Sequence, residues 1–318
     1  MKLVTYRLPG ELADRPPHIG ALLGDLETIS AFSEASEERC FRSLLDLMDG
    51  GPRALDLARR FEKSPKRCRA LREVRLLAPV PVPRQLFDCL CFEKHLVQSA
   101  RNAHRIHGGQ AIVETEVGMP AVYRERPVYY KGNRFSVIGP DEDIVCPRYS
   151  KLLDYELEFG VFLGMGGKDI PVESAKEHIF GYCIFNDVSA RDQQWLEMRG
   201  MLGPSKGKDF DTGNVMGPWL VTRDEIPDPQ NLTMSAFVNG ERVSRSSSSQ
   251  MMHSFEQIIA YSSQDETRHA GEFFGSGTVG DGCGLELGRF LRNGDVLELE
   301  VEGLGRLRNG IVIRPGGT

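Results

Sequence analysis

The sequence predicts an α+β fold, mainly β, with a smaller segment at its N-terminal end. Three observations carry this. Residues 151–164, KLLDYELEFGVFLG, alternate strictly: Leu153, Tyr155, Leu157, Phe159, Val161 and Leu163 share one parity, and Asp154, Glu156 and Glu158 the other. Such alternation reads as a half-buried strand. An apolar run from Ile179 to Phe185 reads as a second strand, and Asp187 lies where a helical pattern takes over. Near the C-terminus, the turn signal Asn239-Gly240 and the stretches 296–302 and 305–313 add a hairpin and two further strands.

Composition narrows the class. The chain has 318 residues, 40% hydrophobic and 26% charged, with a net charge of −6. That is ordinary for a soluble globular protein. No basic stripe is visible, which disfavours a nucleic-acid partner, and no apolar run reaches the length of a membrane helix. The opening MKLVTYRLPGE reads as a strand and lacks the design of a signal peptide. Seven scattered cysteines fit a reducing compartment, so a cytoplasmic location is expected. Cys89 and Cys91 do not have a zinc spacing and read as structural.

Taken in order, residues 1–78 form the small N-terminal segment, a packing or substrate-lid module. It has a strand at Leu3 to Leu8, a helix after Ser33, and short helices over 54–62 and 64–72. Pro79, Pro81 and Pro83 lead into the catalytic domain, 79–318. Asp88 is a polar residue in an apolar run, readable as a solvated turn residue. Glu93 to His107 has helical spacing with Gly108-Gly109 as its stop, and His95 reads there as a surface histidine. Tyr129, Tyr130 and Lys131 are candidates to line a pocket, with core or rim roles the preferred reading. After Asp187, SARDQQWLEMRG reads as a helix and leads to a glycine-rich loop carrying Lys206 and Lys208. That loop suits closure on a carboxylate ligand and has no nucleotide P-loop pattern. Ser254 to Tyr261 reads as a helix, followed by a second glycine-dense loop with Thr278 and Glu286.

The chemical signal lies in Glu156 and Glu158. Side chains at i and i+2 of a strand share a face about 7 Å apart. Two carboxylates held there repel unless a positive charge joins them, and a hard divalent cation prefers oxygen ligands. Asp187 supplies a third oxygen donor, with Ser189, Arg191 and Gln194 close by. Spacing alone is weak support, because Glu298, Glu300 and Glu302 repeat the pattern on a strand that reads as facing water.

Four stretches in this order, LDYELEFGVFLG, IFGYCIFNDVSARDQQ, GKDFDTGNVMGPWLVT and GSGTVGDGCGLELGR, resemble the fumarylacetoacetate hydrolase family over residues 84–315. The resemblance implies a mixed β-sandwich roll, a homodimer, and Mg²⁺ or Ca²⁺, with Mn²⁺ in some members, holding a small oxo-acid substrate. Carried over by position, the metal ligands are Asp88, Glu156, Glu158 and Asp187. His95 falls on the catalytic histidine, Glu286 on its carboxylate partner and Lys208 on the lysine near the developing carbanion. Arg191, Gln194 and Thr278 fall on substrate-binding positions. Leu90 stands where a tyrosine is expected, and Arg101 or His104 replaces an expected arginine. Substrate choice is therefore assigned to Leu90, residues 96–125 and the leading segment.

The implied reaction is hydrolysis of a C–C bond in a 1,3-diketo acid by water activated at His95. The alternative is isomerisation, decarboxylation or dehydration of a 2-oxo or 2-hydroxydienoic acid through the same enolate. A non-catalytic binding protein is a third reading, opposed by the full ligand set. A zinc hydrolase lacks clustered ligands here, and a serine hydrolase lacks its Gly-x-Ser-x-Gly elbow.

Overall fold

A computed structural model describes residues 1–109 and 118–314. Residues 110–117, part of the 96–125 stretch assigned to substrate choice, lie outside the described residues. The centre is a large mixed sheet in which Leu157–Leu163 pairs antiparallel with Ile179–Asp187 on one side and Phe273–Gly275 on the other. Ile179–Asp187 pairs in turn with Asn214–Thr222. Phe273–Gly275 runs parallel to Leu86–Cys89. A second, five-stranded sheet contains the hairpin Thr233–Val238 and Glu241–Ser247 together with Val296–Val301 and Gly305–Val312. Asn239 and Gly240 both take left-handed φ values at its turn, as the Asn-Gly signal requires.

All seven residues of Leu157–Leu163 are buried, where half-burial was expected. The cause is that both faces of the sheet are covered. Leu157, Phe159, Val161 and Leu163 pack with Phe255, Ile258, Leu297 and Leu299. On the other face Phe162, Phe185 and Phe273 pack with Leu44, Leu47, Ala58 and Phe61 from the leading helices. That leading segment is joined to the sheet through Lys2–Arg7, which pairs with Asn214–Thr222.

Two local expectations change. Residues 64–72 are not a helix: Gly51–Lys63 stops at Ser64, which precedes Pro65 and so disfavours helical backbone. Cys68–Ala70 then pairs with Thr28–Ala31 as an edge strand. Glu93 to His107 is two helices, Glu93–Asn102 and His104–His107, and Gly108 closes the second in the left-handed conformation. Among the described residues no helix is long and apolar enough to cross a membrane.

Candidate metal centre and catalytic site

Strand register brings the acids together. Glu158 and Gly160 share a face, Gly160 lies opposite Gly275, and Gly275 lies beside Asp88. Glu158 also pairs with Phe185, two residues before Asp187. Asp88, Glu158 and Asp187 therefore project from three strands onto one side, each fully buried. Gly275 is needed there, because a Cβ on it would stand 2.4 Å from Asp88 Oδ1.

Donor atoms of Asp88, Glu158 and Asp187 lie within 4.8 Å of one another. One oxygen of each, Asp88 Oδ1, Glu158 Oε2 and Asp187 Oδ1, is buried with no hydrogen-bond partner. Burial pushes the carboxyls of Asp88 and Glu158 well above the usual range, and neighbouring carboxylates push the same way. Burial also raises Asp187, although Lys208 opposes it. Three orphaned hard-oxygen donors converging on one point fit a divalent cation.

Glu156 has a different position from the one expected. Its Oε2 accepts from Lys208 Nζ at 2.5 Å, and its Oε1 faces Arg191 Nη1 at 2.8 Å. Burial alone would raise its pKa, but the charges of Lys208 and Arg191 outweigh burial and hold it well below the usual range. Lys208 Nζ also donates to Asp187 Oδ2 at 2.6 Å and to the Asp187 carbonyl at 3.0 Å. The ammonium therefore bridges two of the four acids.

His95 is buried, not a surface residue, and its Nδ1 lies 3.1 Å from Glu286 Oε1. A carboxylate only accepts, so this contact places a proton on Nδ1, and in the neutral ring Nε2 is then the acceptor. Nε2 lies 3.7 Å from Glu156 Oε1. Glu286 stands in the short helix Gly284–Leu287, and its Oε2 accepts from the Cys283 amide.

A cavity of about 390 Å³ opens over this cluster, lined by Asp88, His95, Glu156, Asp187, Arg191, Gln194 and Lys208 among others. Gln194 Oε1 accepts from Arg191 Nη1 at 3.0 Å. Thr278 is not part of the wall; its hydroxyl donates to Glu158 Oε1 at 3.1 Å. Leu90 lines the cavity, whereas Arg101 and His104 do not.

Two residues at the site have no role assigned from sequence. Tyr130, a pocket candidate read in preference as core or rim, lines the cavity and donates to Asp187 Oδ2 at 2.6 Å. Asp154, which shares its parity with Glu156 and Glu158, is the buried partner of Arg191 Nε at 2.8 Å. It also accepts from the amides of Gly284 and Leu285. One carboxylate thus ties Arg191 to the helix that carries Glu286.

Residues 89–312 match the family model described as fumarylacetoacetate (FAA) hydrolase, C-terminal. The human mitochondrial oxaloacetate tautomerase FAHD2B is 31% identical over 98% of this chain and 92% of its own length. The structure of a fumarylacetoacetate hydrolase from Exiguobacterium antarcticum superposes with a TM-score of 0.74 at 26% identity, covering 99% of this chain and all of that one. A maleylpyruvate hydrolase from Sphingobium sp. SYK-6, solved with manganese(II) and pyruvate, shares the fold with a TM-score of 0.71 at 18% identity, covering 99% and 100%. The orphaned oxygens of Asp88, Glu158 and Asp187 fit a divalent cation of the kind that the maleylpyruvate hydrolase structure holds. The match over most of the chain, together with the fold and the acidic centre, means that this protein belongs to the fumarylacetoacetate hydrolase family of enzymes.

Proposed function

We propose that this enzyme acts through the enolate of a small 2-oxo acid and that its net reaction is hydrolysis of a C–C bond in a 1,3-diketo acid. The observation that carries the reading is the buried His95–Glu286 pair beside the acidic centre, with Nδ1 facing Glu286 and Nε2 turned toward Glu156. Asp88, Glu158 and Asp187 would hold the ion, Mg²⁺ or Ca²⁺, with Glu156 next to them. The ion, when bound, would withdraw charge from the substrate's carbonyl oxygens.

The chain's own groups then have distinct tasks. His95 Nε2 takes a proton from water aimed at the distal carbonyl, and Glu286 stabilises the imidazolium that results. Lys208 lends positive charge where the leaving carbon becomes enolate. Arg191 and Gln194 hold the substrate's oxygens, and Tyr130 steadies Asp187. Cleavage leaves a carboxylic acid and the enol of a 2-oxo acid. A proton returned to carbon completes the turnover.

A second reading is proton transfer alone, tautomerising or isomerising a 2-oxo acid with no bond cleaved. The relative matched over nearly the whole chain favours it, being named an oxaloacetate tautomerase. His95 would then move a proton between carbon and oxygen. Mass spectrometry after turnover in ¹⁸O water, with a chelator control, separates the two readings. Two fragments with ¹⁸O in the new carboxylate support hydrolysis. A single product with solvent hydrogen on carbon would overturn it in favour of the second reading.

A further inference from the structure

We propose that the site selects an oxo acid carrying a single carboxylate and an apolar alkyl or aryl tail, in preference to a dicarboxylate. The proposal rests on the function proposed above and deepens it. The cavity runs between Arg191–Met198 on one side and the pair Glu93–Asn102 and His104–His107 on the other, with the charged lining residues at the inner end and mostly apolar ones beyond. Along Glu93–Asn102, Ala103 and His104–His107, the lining residue at the inner end is His95, followed outward by Leu96, Ser99, Ala100, Ala103 and Ile106, apolar except for the Ser99 hydroxyl. At 1.5 Å per residue, the lining face of the first helix alone, from His95 to Ala100, extends roughly 7–8 Å. On Arg191–Met198, Arg191 and Gln194 come first, then Trp195 and Met198. Within Glu93–Asn102 and within Arg191–Met198 these positions recur at helical spacing, so each of those helices turns one face to the cavity.

The rings of His107 and Trp195, 4.7 Å between centroids, join the two sides at the outer end. Leu90, in place of the expected tyrosine, adds a further apolar surface. Among the described lining residues, the groups able to carry positive charge are His95, Arg191 and Lys208, and all three belong to the inner end. Each already faces a carboxylate: Glu286, Asp154 with Glu156, and Glu156 with Asp187 respectively. A second carboxylate on the substrate's tail would leave water for an apolar wall that offers it no cation, and that transfer is costly. A hydrocarbon tail gains there, by about fourfold in affinity for each methylene buried.

The test is calorimetric titration of the Mg²⁺-saturated protein with two matched series. One runs from 2-oxobutanoate to 2-oxooctanoate and includes phenylpyruvate; the other is 2-oxoglutarate and 2-oxoadipate. Affinity is expected to rise about fourfold per methylene over the first additions. Each dicarboxylate should bind at least about tenfold more weakly than the monocarboxylate of equal length. In Ile106→Lys, a half-buried position that accepts a long side chain, the order should reverse toward the dicarboxylates. Equal or tighter dicarboxylate binding by the unaltered protein would overturn the proposal, as would a flat response to chain length or no binding by any acid. Turnover is measured separately on acylpyruvates with the same tails. Tail preference without turnover would sink the proposed reaction and leave the tail selectivity standing.

Discussion

Removing the divalent ion should lower thermal stability, and the loss should grow as pH rises. The ion engages carboxylates that are far apart in the unfolded chain, so it binds the folded state preferentially. At a free concentration of 100 times Kd, that preference adds about 2.7 kcal/mol. Unfolding entropy near 2.1 cal/mol/K per residue gives about 0.67 kcal/mol/K for 318 residues, so the expected rise in Tm is about 4 °C. The pH dependence follows from Asp88, Glu158 and Asp187, whose folded carboxyls are all raised, burial being the main cause. A raised folded pKa means that the folded state holds protons the unfolded state has released. Their contribution is therefore full below about pH 4 and is lost as pH climbs toward the folded values. Glu156 is shifted downward and contributes a constant amount above about pH 5. The ion replaces the protons, so its effect increases with pH. Scanning calorimetry at pH 5.5, 7.0 and 8.5, in EDTA and in excess Mg²⁺ or Mn²⁺, measures both effects. Glu158→Gln should flatten the pH slope in EDTA and abolish the metal shift. An equal shift in Glu158→Gln and the unaltered protein would refute the assignment of the ion to these oxygens.

Four further substitutions probe the surroundings. His95→Ala and Glu286→Gln should each lower kcat by about 10²–10⁴-fold while leaving the metal-induced Tm shift intact; loss of that shift would show that the pair shapes the ion site. Asp154→Asn puts an amide among four donors, Arg191 Nε and the amides of Tyr155, Gly284 and Leu285. It should cost about 3–5 kcal/mol in denaturant unfolding and raise KM, and a neutral result would deny Asp154 its positioning role. Gly275→Ala places a methyl 2.4 Å from Asp88 Oδ1, so titration should show weaker Mn²⁺ binding with the fold retained.

Much of this architecture is written in local patterns. The strand within the alternating stretch 153–163, the Asn239-Gly240 turn and the strand-to-helix change at Asp187 each appear in the structure, because each rests on short-range geometry. What local pattern could not convey is covering. Leu157–Leu163 is buried on both faces because distant segments pack on it, and alternation records only chemical character. Three acids on one parity likewise have three different partners: Asp154 meets Arg191, Glu156 meets Lys208 and Arg191, and Glu158 faces Asp88 and Asp187. The alternating stretch is in fact broken: Leu153–Asp154 pairs with Ser189–Ala190, Glu156 bridges to Cys283, and only Glu158 lies on Leu157–Leu163, so common parity does not mean one shared face. His95 and Glu286 are 191 residues apart, and no periodicity links them; only the resemblance brought them together in advance. Asp88 reads as a turn residue from its neighbours and becomes buried because Leu86–Cys89 is enclosed in the sheet.

The lysine at the centre provides the sharpest test of how charge is arranged. Lys208 is buried, and although burial works against its charge, Asp187 and Glu156 hold its pKa well above the usual value. Its ammonium occupies the side of Asp187 and Glu156 that a second cation would otherwise share. Lys208→Met removes that competitor and its repulsion toward a dication. The substitution should therefore leave metal affinity unchanged or tighten it, up to about tenfold for 1.4 kcal/mol of relief. Without the ion, the same change strips Glu156 and Asp187 of their counter-charge and should cost about 3–5 kcal/mol. Metal should restore more stability to Lys208→Met than to the unaltered protein. Turnover should still fall, by about 10²–10³-fold, because charge that develops on the substrate loses its fixed partner. Calorimetric Mn²⁺ titration alongside kinetics decides the matter. If Lys208→Met binds the ion much more weakly, the ammonium is organising the acids for the metal, and competition between the two cations is the wrong description.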